Sequence, residues 1–337
     1  MKKTASVLLA LLLMFSLLTG CSQNSNLREL YDPVISEKIL DCGWCEDCVD
    51  ELIDITPEMV PLTNAPAIFA IPTPAAPGTN AETNDKAVID FSNMRDGYVM
   101  AKYNAQTTKS IRVMIKGPSG AQYQYNLKPG GVFEVFPLSD GNGQYMVGVF
   151  EQVEGTKYAT VISKNITVTL ADEFAPFIRP NQYVNYNKDS QTVRKAAELI
   201  SGANTFPDKI TAVYNFVVGN ITYDKDKART VQSGYLPDID AVLRAGKGIC
   251  FDYAAVMAAM LRSQGIPTKL VVGYTGEVLH AWISVYSKES GWVNGVIQFD
   301  GKSWKLMDPT FASSGNQSAE VMQFIGDGTN YAVKFIY

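Results

Sequence analysis

The chain contains a single histidine, His280, so any imidazole chemistry has one carrier. Among the five cysteines, Cys250 has a setting of its own. It follows Gly246-Lys247-Gly248-Ile249 and opens a run from Phe251 to Leu261 rich in Ala, Val and Met. A third candidate, Asp308, stands in Trp304-Lys305-Leu306-Met307-Asp308-Pro309-Thr310. A thiol, an imidazole and a carboxylate share one joint chemistry. The imidazole takes the thiol proton, the thiolate attacks a carbonyl carbon, and the carboxylate fixes the ring tautomer and stabilises the imidazolium. Each residue also has a plainer reading: a small core residue at a helix start, a surface histidine at a strand start, and an Asp-Pro turn.

Acting together requires elements that bring them together. The segment Cys250 to Arg262 is apolar nearly all round, which predicts a buried helix ended by Gly265 and Pro267. Cys250 then sits at the helix N-terminus, where unpaired N–H groups and the dipole favour a thiolate and can donate to an oxyanion. From His280 to Tyr286 the sequence alternates, with Ala281, Ile283 and Val285 on one face and His280, Trp282, Ser284 and Tyr286 on the other. That predicts a strand whose apolar face meets the core and whose histidine face borders solvent or the helix. Pro309 restricts Asp308 to extended geometry, on the strand face of Leu306 and Trp304. Helices over 192–200 and 207–218, a short extended piece at 221–224, the segment 238–243 ahead of Gly246, and strands at 269–274, 280–286, 296–299 and 304–307 complete an α+β arrangement.

Three motifs, Gly248-Ile249-Cys250-Phe251-Asp252-Tyr253-Ala254, His280-Ala281-Trp282 and the stretch around Asp308-Pro309, resemble those of the transglutaminase-like superfamily in order and spacing. The resemblance covers roughly residues 190–312. It implies a papain-like fold with the triad on Cys250, His280 and Asp308, and neither metal nor cofactor. It implies a cysteine peptidase or amidase, or a protein-glutamine acyltransferase, acting on a peptide or protein substrate. Phe251 stands where animal transglutaminases have Trp, and their long acidic calcium loops have no counterpart here, which favours a hydrolase over a cross-linker. Tyr223, in Asn220-Ile221-Thr222-Tyr223-Asp224, matches an upstream element of bacterial members. Trp282, Tyr253 and Tyr223 are the candidate substrate-binding residues; Trp282 and Tyr253, with Trp304 and Tyr274, either line an aromatic channel or belong to the core. The rival reading is a non-catalytic cell-surface binding or scaffold module that keeps the fold.

Upstream, short runs rich in Val, Ile, Tyr and Phe (98–103, 110–115, 121–127, 132–136, 144–150 and 158–170) alternate with Gly/Pro turns. They predict an antiparallel, immunoglobulin-like β-sandwich over 87–170, ahead of the transglutaminase-like domain over 171–337. Six prolines between Pro57 and Pro77 make 56–86 an extended linker. At the N-terminus, Lys2 and Lys3 precede an apolar run and Leu18-Thr19-Gly20-Cys21, an export signal resembling that of bacterial lipoproteins. Residues 1–20 would be removed, Cys21 lipidated, and 21–55 would form a tethered segment in the cell envelope. Cys42, Cys45 and Cys48 in that segment fit a local disulfide better than a metal or redox site.

Composition narrows the partners. Of the 337 residues 46% are hydrophobic and 19% charged, which gives a packed core. The net charge of −5, without long basic runs, argues against nucleic acid. Membrane contact then comes through the lipid on Cys21, and cell-wall peptide is a candidate substrate.

Overall fold

The computed structural model describes residues 71–337 except 277, 295–296, 300–303, 307 and 315–330. The export signal, Cys21, the three-cysteine segment and the linker up to residue 70 lie outside the described residues.

The β-rich region begins with β1 (Ala81–Thr83), β2 (Ala87–Asp90) and β3 (Tyr98–Tyr103). It continues through β4 (Ile111–Lys116), β5 (Gln122–Leu127), β6 (Glu134–Pro137), β7 (Gly143–Glu154) and β8 (Lys157–Val168). Two four-stranded antiparallel sheets result, ordered β1-β2-β3-β6 and β5-β4-β7-β8. Alternation explains the packing. In β5, Tyr123, Tyr125 and Leu127 are buried while Gln122, Gln124 and Asn126 are exposed. The turn from β4 to β5 closes with the Gly120 N–H donating to Gly117 O at 3.0 Å, and Gly120 takes a left-handed φ of 88° that a side chain would strain. One difference from the sequence reading appears at the start. The stretch read as linker already joins the sheet through β1, and the Gly78 N–H donates to Asp90 at 2.6 Å.

Downstream come α1 (Gln191–Ile200), α2 (Phe206–Asn220), β9 (Thr222–Tyr223), α3 (Lys225–Thr230), α4 (Ile239–Ala245), β10 (Lys247–Gly248) and α5 (Cys250–Arg262). Then follow β11 (Thr268–Thr275), β12 (Val278–Ser287), β13 (Gly291–Asn294), β14 (Ile297–Phe299), β15 (Trp304–Leu306), α6 (Pro309–Ser314) and β16 (Tyr331–Ile336). Thr205 and Asp208 cap α2 reciprocally, at 3.2 and 3.0 Å, with Pro207 in its first turn. A four-stranded antiparallel sheet runs β13-β12-β11-β16, and β14 pairs with β15. Against β11 and β12 lies α5, wrapped on its other sides by α1, α2 and α4. Every residue from Asp252 to Arg262 is buried. Each large apolar side chain on this helix contributes about 1.5–3 kcal/mol by leaving water.

Packing revises one expectation and decides another. The β-rich and α+β regions share one continuous core rather than meeting at a seam near residue 170. Aromatic contacts join them: Tyr123 with Phe335 (5.5 Å), Tyr125 with Tyr337 (5.8 Å) and Tyr125 with Tyr183 (5.5 Å). Secondly, both faces of β12 are covered. His280, Trp282 and Ser284 are as buried as Ala281, Ile283 and Val285, so the histidine face does not open to solvent.

Candidate active site

Cys250 is the first residue of α5 and a free, partly exposed thiol. The backbone approaches it through β9 and β10, a two-residue parallel pair that sets Thr222-Tyr223 beside Lys247-Gly248. Gly248 is required there, because a Cβ would come within 2.7 Å of the Asp252 Cβ. The helix start is fixed by Asp252, whose Oδ2 accepts from the Ile249 N–H at 2.8 Å. The Asp252 N–H donates to Ile249 O at 2.8 Å, and the N–H groups ahead of it, which helix geometry leaves without an intrahelical partner, can donate to an anion.

His280 stands near the start of β12, opposite Gly273 of β11. Its Nε2–H donates to Asp308 Oδ2 at 2.7 Å, and both side chains are 1% exposed. The Cys250 side chain hydrogen-bonds the same ring. With Nε2 turned to the carboxylate, Nδ1 is left for the sulfur. Asp308 directly precedes α6 instead of lying within a strand. Its Oδ1 accepts from the Thr310 N–H at 3.0 Å, as a helix cap does, and Pro309 takes the first helical position, where a missing N–H costs nothing.

Aromatic side chains seal this pair. The Trp282 ring lies nearly parallel to the imidazole (centroids 6.1 Å, 21°), and Tyr331 meets Trp282 edge-on at 5.1 Å. The Tyr331 hydroxyl also donates to Asp308 Oδ2 at 3.4 Å. Its own proton is held more tightly than usual, by burial first and then by the Asp308 charge. Space for the indole comes from Gly273, where a Cβ would lie 2.7 Å from Trp282 and 2.0 Å from Ala332 O. No local pattern in the sequence pointed to Tyr331, because β16 reaches the site only through its pairing with β11.

The other predicted residues divide. Tyr223 is half-buried and close enough for the charge of Cys250 to raise its pKa, after burial itself. Tyr253 is 0% exposed, and its hydroxyl donates to Ile221 O at 2.5 Å and meets Ser313 Oγ at 2.8 Å. It ties α5 to α2 and α6 and presents no surface to a substrate. Trp282 is likewise buried and touches the histidine. Tyr274 is exposed on β11, and Trp304 lies in β15. Among the described residues no cluster of three His, Cys, Asp or Glu is arranged to hold a metal. A cavity of about 280 Å³ lies elsewhere, between Ser139, Leu170 and Trp292, and contains no member of the triad.

The electrostatics favour a charged ring. Burial, the largest single influence, pushes the His280 pKa down from 6.5. The charge and hydrogen bond of Asp308, followed by those of Cys250, outweigh it and push the value up to about 10. This gives a pH signature best read in Cys250→Ser, where thiol titration does not overlap. In that variant the Asp308 charge and hydrogen bond still oppose burial, and a ring they keep protonated stabilises the fold fully below pH 6.5. The contribution is lost as pH climbs through the folded value. Urea stability should fall above pH 6.5 with a slope approaching ~1.4 kcal/mol per pH unit, and His280→Gln in the same background should remove the slope. A flat profile for Cys250→Ser would mean that the ring is not held protonated.

Residues 193–295 match the family model of the transglutaminase-like superfamily, so this part of the chain is a transglutaminase-like domain. The match contains Cys250 and His280, and Asp308 lies beyond it. Over 118 residues the chain is 30% identical to the uncharacterized protein YebA of Bacillus subtilis, covering 29% of this chain and 16% of that one. Over 69 residues it is 33% identical to a protein-glutamine gamma-glutamyltransferase of Pseudomonas aeruginosa, covering 16% of this chain and 10% of that enzyme. The matched stretches thus span less than a fifth of either relative. Red sea bream transglutaminase superposes with a TM-score of 0.28 at 14% identity, over 70% of this chain and 54% of its own.

Proposed function

We propose that the transglutaminase-like domain is a cysteine acyl-transfer site acting on peptide or protein amides through a thioester on Cys250. One observation carries the reading: the chain's single imidazole is held between a buried carboxylate 2.7 Å away and a free thiol at a helix N-terminus. The Cys250 thiolate attacks the amide carbonyl, forming an S–C bond. The oxyanion that develops faces the first-turn N–H groups of α5, the Cys250 N–H among them. His280 gives its Nδ1 proton to the nitrogen as the C–N bond breaks, and the amine leaves. Water or an amine then attacks the thioester, His280 accepts its proton, and the sulfur is released. Asp308 keeps the ring in one orientation and stabilises its charge throughout.

With water as acceptor the outcome is hydrolysis or deamidation, and with a lysine amine it is a cross-link. Phe251 is engaged with Tyr183 in the core. A panel of glutamine-containing and cell-wall peptides, read for ammonia or amine release beside dansyl-cadaverine incorporation, separates the outcomes. Release that depends on Cys250 and exceeds incorporation is expected. No product above the Cys250→Ala control in either assay would leave the scaffold reading in possession.

The sequence supports two further proposals. The domain is exported and held at the membrane through lipid on Cys21, whose acyl chains contribute ~0.8 kcal/mol per buried methylene. The β-rich region is an immunoglobulin-like sandwich serving as a spacer, supported by its two antiparallel sheets and by chain crossings between them at β3–β4, β5–β6 and β6–β7.

A further inference from the structure

One buried charge beside the nucleophile belongs to no member of the triad. Asp252, on the same first turn of α5 as Cys250, is 0% exposed. Besides the Ile249 N–H it accepts from the Tyr235 hydroxyl at 2.6 Å and from the Lys227 ammonium at 2.6 Å. Lys227 also donates to the Tyr235 hydroxyl at 2.7 Å and sits 4.3 Å above that ring. At one point, therefore, α3, the segment before α4 and the start of α5 are tied together.

The carboxylate is useful as a cap and harmful as a charge. A negative group in the first turn offsets the positive end of the helix dipole, the same field that favours a thiolate at Cys250. The two anions, on one helix turn, would also repel each other. Lys227 cancels that charge where it arises.

We infer that Lys227 is a positioning residue of the active site, which by neutralising Asp252 lets the first turn of α5 carry both a carboxylate cap and a reactive thiolate. The inference rests on the reading of Cys250 as the nucleophile. The charged and titratable groups around this turn come from several elements. His280 comes from β12 with Asp308 behind it, and Tyr223 from β9. Asp252 shares the turn, and beyond it lie Lys227 from α3 and Asp224, which caps α3. Only the Lys227–Asp252 pair can be removed as a neutral unit without touching the triad.

The test uses the full chain and iodoacetamide, with alkylation measured by mass spectrometry on the peptide that contains Cys250, from pH 4.5 to 9. Lys227→Met should move the midpoint of the rate profile up by about one unit, giving roughly tenfold slower labelling at pH 6. Asp252→Asn should move it down, and the Lys227→Met/Asp252→Asn double variant should return to within about threefold of the wild type. Lys227→Arg, which keeps the charge, should behave like the wild type. A purely structural role predicts no shifts of opposite sign. If Lys227→Met does not fold, the downward shift in Asp252→Asn still decides, and its absence overturns the inference. Lys227→Met that folds and labels with an unmoved midpoint overturns it too, provided labelling depends on His280. Should His280→Ala leave the wild-type profile unchanged, the acyl-transfer reading itself falls and takes this inference with it.

Discussion

His280→Ala should slow iodoacetamide labelling of Cys250 at pH 6 by about a hundredfold or more. At that pH an ordinary thiol, with a pKa near 8.5, is almost wholly protonated and nearly inert. In the intact site a ring whose own carboxylate partner lies buried 2.7 Å away is held against the sulfur as both cation and proton acceptor. Truncation removes the cation and the proton acceptor together. It also takes from Asp308 its partner at 2.7 Å, while the Thr310 N–H and the Tyr331 hydroxyl still donate to that carboxylate. Turnover of an amide substrate should fall by ~10³-fold, within the range expected when a general base is lost. Asp308→Asn should cost less, because an amide can still hold the ring but does not stabilise its charge. The measurement is the labelling rate of the Cys250 peptide in the three proteins. Equal, sluggish rates with and without the imidazole would sink the proposed chemistry and favour the scaffold.

Arg262→Ala should lower the free energy of unfolding by about 3–5 kcal/mol, the largest stability loss expected from a single change outside the triad. Arg262 ends α5 and is fully buried. Its guanidinium donates to Thr268 O at 2.7 Å, Arg179 O at 3.0 Å and Tyr337 O at 2.6 Å, three backbone carbonyls from three separate segments. Burial pushes its pKa down to about 10, so the group remains charged at neutral pH. Alanine would leave those carbonyls without their donor and a void the size of the side chain. Arg262→Lys should recover only part of the loss, since one ammonium cannot span three diverging acceptors. Urea titration at pH 7 reads the effect. An unfolding free energy within 1 kcal/mol of the wild type would mean that the guanidinium does not hold α5 to the sheet and to the 171–187 connection. Because Arg262 lies at the opposite end of α5 from Cys250, the labelling profile of folded protein should not move.

The elements were written locally. The apolar run between Gly248 and Gly265 specified α5 residue for residue, since a helix with no polar face can exist only inside a core. Alternation and turn chemistry placed β3 to β8 within two residues at most boundaries, β7 running longer than its pattern. Strands β1 and β2 escaped notice because they are short, and their pairing comes from ladder partners rather than from their own composition. The identities of Cys250, His280 and Asp308 were equally legible, as the single imidazole and the motifs around it left few other carriers.

Which side chains meet was decided only by the tertiary structure. The approach of His280 to Asp308, 28 residues apart, depends on where α6 lands against α2, β9 and α5. The closure of the histidine face depends on β16 pairing with β11. The neutralisation of Asp252 depends on α3, which brings Lys227 from 25 residues upstream. The physical reason is one of range. Periodicity and capping act over a few residues and encode an element, whereas contacts across tens of residues are fixed by register and packing, which exist only once all the elements are assembled.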